Sequence, residues 1–371
     1  MTARRGPAPL GVLRFDRMSE RSVVALSPAG AATSPGRAAV VVVNWNGRED
    51  TLACLASLQS VDYAPLEILV VDNGSADGSV PAIRAAFPGI EVIETGRNLG
   101  FAGGNNAGIE AALAGGADFV LLLNNDTVVS PGLLRELIAV ACSAPDIAAV
   151  SPKIYYQAEP KRVWYAGSRW VPSRATFEHI GQDTVDSGEV EDGQPVETEY
   201  ACGCAMLLPA AALRRVGLLD DALFLLYEET DWCFRARRAG LRCLFAPRAR
   251  LWHKVSASFG GRRSPLYTYF DVRNRLLWAE RHLPPVERAR VWLWALGRAG
   301  EPLTGVWDPL ARLGRLHLRA AYWEARAWWN DVRHWQRPAA RATRRASRQG
   351  VLDYVRRRFG DCPPAMRAPS V

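Results

Sequence analysis

From Ala38 onward, apolar runs and polar stops alternate with a spacing that predicts strand then helix, repeated. AAVVVVN (38–44) reads as a buried strand, NWNGRED as a turn, and the stretch from Thr51 to Ser60 as a helix with Leu52, Leu55 and Leu58 at helical spacing. A strand at 67–71, a helix near 79–87, a short strand at 90–94, a helix near 104–114 and a strand at 118–123 follow. This order predicts an α/β fold with a parallel sheet and helices on both faces. The sharpest feature is FVLLLNNDTVV (119–129), an apolar run that stops abruptly at Asn124, Asn125 and Asp126. A second run, 66–71, stops at Asp72. Two strands thus carry a carboxylate at the same end of one sheet, where open α/β sheets bind their ligands, and a nucleotide site is expected there.

After Pro152 the texture changes. Residues 155–200 interleave Tyr, Trp, Thr and Val with charges and Gly, predicting short antiparallel strands and loops. Helical patterns return near 209–216 and 229–239, then at 265–282 and 285–299. A last helical stretch, about 309–335, carries Trp323, Trp328, Trp329 and Trp335 among arginines. Beyond Pro338 the composition predicts disorder, with one terminal helix around 351–359. The expected organisation is a flexible leader (1–37), with Met18 as an alternative start, and a main domain (38–282) whose halves meet at residue 152. A helical basic and Trp-rich extension (283–336) and a mostly disordered basic tail (337–371) complete it.

The chain of 371 residues is 49% hydrophobic, enough for a full enzyme core. The net charge of +8 is unevenly spread: residues 311–371 hold fourteen Arg against four acids, a net of +10, which leaves −2 for the rest. Seven cysteines are an odd number without zinc-type spacing, because Cys202 and Cys204 are separated by a single residue. They read as reduced thiols, and a cytoplasmic location is expected. Arg4, Arg5, Arg14, Asp16, Arg17 and Glu20 interrupt any secretory signal in the leader, and no run of eighteen apolar residues predicts a membrane span.

Four segments carry candidate chemistry. In VVDNGSADGS, Asp72 faces the expected ligand crevice, where it binds a ribose or base edge or else caps the next helix; Asp77 is the better cap of the two. RNLGFAGGNNAGIEAAL (97–113), with Asn98 and Gly100, is a Gly-rich turn entering a helix. It suits either a phosphate or plain close packing, and it matches neither the dinucleotide fingerprint nor the P-loop. Glu228, Glu229 and Asp231 crowd the start of a predicted helix, where they serve the helix dipole or supply a general base; Arg235 pairs with Asp231 on the helix surface. His253 follows Trp252 at the end of an apolar run, as a structural histidine or as the imidazole partner of a cation held by one carboxylate.

Taken in order, VVVNWNG, LVVDNGSADGS, NLGFAGGNNAG, LLLNNDT, GCAMLL, FLLYEETDWCFR, LWHKVSAS and YFDVRNRLLW resemble the inverting family-2 glycosyltransferases. The nearest subgroup is the bacterial rhamnosyltransferases with related galactofuranosyl and cell-wall enzymes, and the likeness covers residues 39 to about 282. It implies the A-type glycosyltransferase fold, Rossmann-like with a mostly parallel central sheet, followed by C-terminal helices. It implies that Asn44, Asn46, Asp72, Asn98, Gly100, Asn124 and Asn125 surround the nucleotide sugar. It further implies that Asp126 and His253 hold Mg²⁺ or Mn²⁺, and that Glu229 is the base, with Glu228 and Asp231 shaping the acceptor side and holding the helix. Two positions depart from the family pattern. The usual Asp-x-Asp is Asn124-Asn125-Asp126, which leaves one charged ligand, and Glu229 stands where Asp is usual, one methylene longer.

The implied activity is transfer of a sugar, L-rhamnose from dTDP-rhamnose as first choice, to a lipid-linked or polysaccharide hydroxyl in bacterial envelope glycan synthesis. A UDP-sugar such as UDP-galactofuranose or UDP-GlcNAc is the alternative donor, and an inactive sugar- or partner-binding homologue is a further reading. A nucleotidyltransferase would need a basic phosphate loop that NWNGRED does not supply. For the Arg- and Trp-rich C-terminus an anionic membrane surface is the expected partner, ahead of nucleic acid, which makes the enzyme peripheral on the inner face of the cell membrane.

Overall fold

The computed structural model describes residues 36–186, 193–255, 264–299 and 338–367. The expected leader up to residue 35 and the Trp-rich stretch at 309–335 lie outside them.

A sheet of ten strands runs through the molecule. Its first part places β3 (Glu91–Glu94), β2 (Leu66–Asp72), β1 (Ala38–Asn44) and β4 (Phe119–Asn124) side by side and parallel. These strands are Val/Ile/Leu runs because both faces are covered, the mark of a parallel sheet. The register sets Asn44 beside Asp72 and Val43 beside Asn124, so the polar stops of the sequence form one edge. The chain leaves β1 toward β2 on one side and returns as β4 on the other, which makes this edge the switch point of the sheet. Helices α1 (Arg48–Leu58), α2 (Ser79–Ala86), α3 (Gly100–Ala114) and α4 (Leu133–Ala141) flank these strands, with apolar clusters on both faces.

The sheet continues without a break past residue 152. Short β5 (Thr127–Val129) and long β6 (Ile147–Tyr156) follow, and β6 itself crosses the boundary expected between two halves. The expected short antiparallel strands are present as β7 (Glu159–Tyr165), β8 (Ser168–Val171), β9 (Thr176–His179) and β10 (Val196–Glu197). β11 (Ala205–Pro209) is antiparallel to both β4 and β6, whereas β6 pairs in parallel with β12 (Arg242–His253). The sequence hid β6 because Ser151, Pro152 and Lys153 interrupt it. Lys153 is only 1% exposed and is paired with Asp186 at 2.7 Å.

Helices α5 (Ala210–Val216), α6 (Glu228–Arg238), α7 (Pro265–His282) and α8 (Pro285–Ala299) complete the main body. The expected disorder of the tail does not hold: α9 (Pro338–Val355) is a helix packed against α7 and α8. Its arginines mask a buried seam of Ala346, Ser347, Gly350, Asp353 and Tyr354 at helical spacing. Gly350 allows close approach, since a Cβ there would lie 2.8 Å from the Tyr269 carbonyl oxygen.

Candidate active site

The loops after β1 and β2 are stitched together. Asn44, fully buried, donates from Nδ2 to Asp72 Oδ1 (2.8 Å) and Ser75 Oγ (3.0 Å), and its Oδ1 accepts from Thr51 Oγ1 (2.8 Å) and Gly47 N (3.2 Å). Asp72 Oδ2 accepts from Ser75 N at 2.9 Å, so this carboxylate anchors a turn. Asn46 accepts from Ala76 N at 2.8 Å. Asp77 accepts from Arg48 N and from Ser79 N, each at 3.0 Å, tying together the starts of α1 and α2. Asn44 and Asp72 therefore act by shaping the loops. The group these loops present outward is Trp45, 43% exposed, with the Arg367 guanidinium 5.4 Å from its ring; the sequence reading passed it over.

The Gly-rich entry to α3 is close packing. A Cβ on Gly108 would lie 2.2 Å from Val41 Cγ1, and one on Gly104 would lie 2.9 Å from Val43 Cγ1. The helix start is also occupied: Phe224 O accepts from Phe101 N (2.7 Å) and Ala102 N (3.2 Å), and Asn98 Oδ1 accepts from Gly100 N (2.8 Å). These N–H groups are taken by the protein, contrary to the phosphate reading of this segment.

After β4 the chain turns through Asn124, Asn125 and Asp126 into β5, whose Thr127 pairs with His253 of β12. Two residues distant in sequence thereby meet: Asp126 Oδ1 and His253 Nε2 lie 3.0 Å apart, both side chains largely buried. Yet Asp126 Oδ1 has no hydrogen-bond partner of acceptable geometry, nor has His253 Nδ1. An oxygen and a ring nitrogen at this separation match adjacent ligands about 2.1 Å from a shared cation. The orphaned carboxylate oxygen beside an imidazole thus fits a divalent metal. No third His, Cys, Asp or Glu joins them among the described residues, so water and phosphate oxygens would complete the shell. Trp164 lies edge-on to the His253 ring at 4.9 Å, and Asn124 Nδ2 is 3.5 Å from His253 Nε2. Asn125 instead turns inward to Thr51 Oγ1 at 2.9 Å.

The acidic cluster follows a loop of unusual backbone. Phe224, Leu226 and Tyr227 all have positive φ (61°, 69° and 75°) although none is glycine. Each such residue costs on the order of 1–3 kcal/mol, so the surroundings must enforce this course. The loop delivers Glu228 and Glu229 to the first turn of α6, over Gly203, where a Cβ would lie 3.4 Å from Glu229 Cγ. The adjacent Cys204 carbonyl accepts from Asn124 N at 2.9 Å, so the acids and the Asp126 turn flank one short segment.

Glu228 is 4% exposed and Glu229 half-buried, and each leaves Oε2 unpartnered. Burial raises the pKa of both carboxyls, and the charge of Glu229 pushes Glu228 up further. Of the pair, Glu229 is the better reached from solvent. Asp231 does different work. Burial opposes its ionisation, but the hydrogen bond from His282 (2.8 Å) and the charge of Arg235 (2.9 Å) hold its carboxyl well below the ordinary range. With Arg281 at 3.1 Å, Asp231 pins α6 to α7.

Residues 39–199 match the family model Glycosyl transferase family 2. The low-salt glycan biosynthesis hexosyltransferase Agl10 of Haloferax volcanii is 28% identical over 239 residues, 64% of this chain and 74% of that protein. The N-acetylglucosaminyl-diphospho-decaprenol L-rhamnosyltransferase of Mycobacterium tuberculosis is 27% identical, across 60% of this chain and 77% of its own length. Among solved structures, the mannosyltransferase PcManGT from Pyrobaculum calidifontis in complex with GDP-Man and Mn²⁺ shares the fold. Its TM-score is 0.53 at 16% identity, covering 89% of this chain and 90% of that one.

Proposed function

Since the chain carries a family-2 glycosyltransferase domain, we propose that it is an inverting, metal-dependent enzyme moving L-rhamnose from dTDP-rhamnose to a hydroxyl of a lipid-linked glycan acceptor. The observation that supports this most is the orphaned Asp126–His253 pair at 3.0 Å, flanking the same segment as a half-open glutamate of raised pKa.

Asp126 and His253 would hold the cation, as Mn²⁺ accompanies GDP-Man in the mannosyltransferase. When bound, the cation offsets charge on the departing nucleoside diphosphate. A mixed oxygen and imidazole set favours Mn²⁺ over Mg²⁺. Asn44 and Asp72 keep the nucleotide loops in shape, and Trp45 offers a face for the base. Glu229 accepts the proton of the acceptor hydroxyl as that oxygen attacks the anomeric carbon from the side opposite the leaving group, inverting the centre. Its raised pKa makes the ionised carboxylate a stronger base than an exposed glutamate.

The test is a panel of dTDP- and UDP-sugars with Mn²⁺ or Mg²⁺ and a bacterial lipid extract, reading nucleoside diphosphate release. Release from dTDP-rhamnose, abolished by chelation, is expected. Release from a UDP-sugar alone would replace the donor, and metal-independent release would remove the role of Asp126 and His253.

Among the described residues no helix is long and apolar enough to cross a membrane. We infer contact with the inner membrane surface through the C-terminal region, because α8 exposes Val286, Leu293 and Leu296 beside Arg290 and Arg298. The full chain should sediment with anionic vesicles and be released by salt; equal binding by a chain ending at Pro309 would clear the residues beyond it.

A further inference from the structure

The strained loop before Glu228 is held from behind. Asn274, on α7 and fully buried, points its amide nitrogen at three loop carbonyls: Leu223 O (2.7 Å), Leu225 O (2.8 Å) and Leu226 O (2.8 Å). Its Oδ1 accepts from the neighbouring Arg273 Nε at 2.9 Å, which fixes the amide orientation. Arg273, also fully buried, adds Nη2 contacts to Leu223 O (3.2 Å) and Ala222 O (3.4 Å). Its other nitrogen donates to Gly360 O at 2.7 Å, in the segment that follows α9. Tyr269 continues the chain of contacts, with its hydroxyl 2.9 Å from Asp353 Oδ2 of α9 and 3.3 Å from Arg273 Nη1.

Resting on the glycosyltransferase reading, we propose that Asn274 and Arg273, backed by the C-terminal segment 338–367, are positioning residues that hold the loop carrying the base Glu229. Within the loop, Leu225 N donates to Leu223 O at 2.6 Å, but Phe224, Leu226 and Tyr227 are all residues that avoid positive φ, so the course needs support from outside. Three carbonyls brought together repel one another, and the Asn274 amide is the group that gathers them. The consequence reaches Glu229 directly, because Tyr227 O accepts from Asp231 N (2.8 Å) and so seats the first turn of α6. Asn44, Asp72 and Asp126 on the donor side lie outside this chain of contacts, and of the described residues of the segment only Arg367 reaches across, to the Trp45 ring at 5.4 Å. The C-terminal helix therefore acts on catalysis from a distance, through α7.

Asn274→Asp tests this in the full-length enzyme, because it keeps the shape and replaces the donor facing three carbonyls with an acceptor. A fall in kcat of about 100-fold is expected, as for a misplaced reacting group, with donor KM changed less than about twofold. The amides of Phe101 and Ala102, bonded to Phe224 O, should exchange with deuterium faster. Tyr269→Phe, a milder change on the same path, should lower kcat alone by about threefold to tenfold. An unchanged kcat, or parallel losses of kcat and donor affinity, would overturn the proposal. If Asn274→Asp does not fold, Tyr269→Phe decides by the same split. Unchanged exchange at Phe101 and Ala102 in a folded variant would also overturn it, independently of activity. By contrast, full activity in Glu229→Gln would count against the proposed function.

Discussion

At the tips of β1 and β2, Asn44, Asn46, Asp72 and Asp77 each accept from a backbone amide within 3.2 Å; near the tips of β4 and β12, Asp126 Oδ1 and His253 Nδ1 have no such partner. Glu228 and Glu229 fall with the second group. Both regions are polar, hold buried groups and lie at one edge of the sheet, so residue type alone does not separate them. Satisfaction does. A buried polar group left without a partner costs on the order of 1–3 kcal/mol, and where several such groups meet at the end of a sheet, a ligand can supply what the protein withholds. On the proposed function, the first region is scaffold and the second faces the chemistry.

The comparison is tested hardest by Glu229→Gln. Removing a general base should lower kcat by about 10²–10⁴. Donor affinity and the melting temperature should hold, because Oε2 has no partner to lose. Calorimetric donor binding beside single-turnover rates would check it, and a comparable loss of donor affinity would move Glu229 into the scaffold group.

Next in size is a paired contrast. Asp72→Ala strands the Asn44 amide and the Ser75 N–H, so it should destabilise the fold by about 1–3 kcal/mol in urea unfolding. His253→Ala should leave unfolding nearly unchanged while raising the Mn²⁺ concentration for half-maximal rate by about tenfold or more. The reverse pattern, with Asp72 silent in stability and His253 critical to it, would break the distinction.

Much of this division was hidden in the sequence for physical reasons. The strand tips were legible because apolar runs end in Asn or Asp, and α7 and α8 keep the bounds that their spacing predicts. The A-type fold followed from the order of the motifs. The meeting of Asp126 with His253 rests on β5, a three-residue strand too short to show a period. The loop at 224–227 contains no glycine to announce its positive φ, so the need for Asn274 was invisible. Composition left the glycine-rich segment open between a phosphate loop and close packing, where the glycines serve packing against Val41 and Val43, and it predicted disorder where α9 buries a narrow seam.

A smaller effect concerns pH. The groups whose charge states interact with Glu229 are Tyr200 and Cys202 from the chain before β11, and Glu228 and Cys233 from its own helix. Burial raises the Glu229 pKa, and the base must be ionised to act. Activity is therefore full above that pKa and falls as pH drops through it, by about tenfold per unit on the acid side. The midpoint should lie above the ordinary glutamate value of about 4.3 in a kcat profile at saturating donor. A midpoint at or below that value would place Glu229 in open water.

The smallest expected effect separates the two glutamates. Glu228 and Glu229 both lack a partner at Oε2, yet the Glu229 charge raises Glu228, while burial is what raises Glu229. Glu228, the more deeply buried of the two, is thus pushed up by its partner as well as by burial. Where Glu228 is the protonated member of the pair, Glu228→Gln exchanges one neutral group for another of nearly equal volume. Its kcat should stay within about threefold of wild type, with the acid limb of the profile in place. Steady-state rates from pH 4 to 8 on both Gln variants would decide between them. A collapse in Glu228→Gln with activity kept in Glu229→Gln would exchange their roles, and make solvent access the wrong guide to which orphaned carboxylate meets the acceptor.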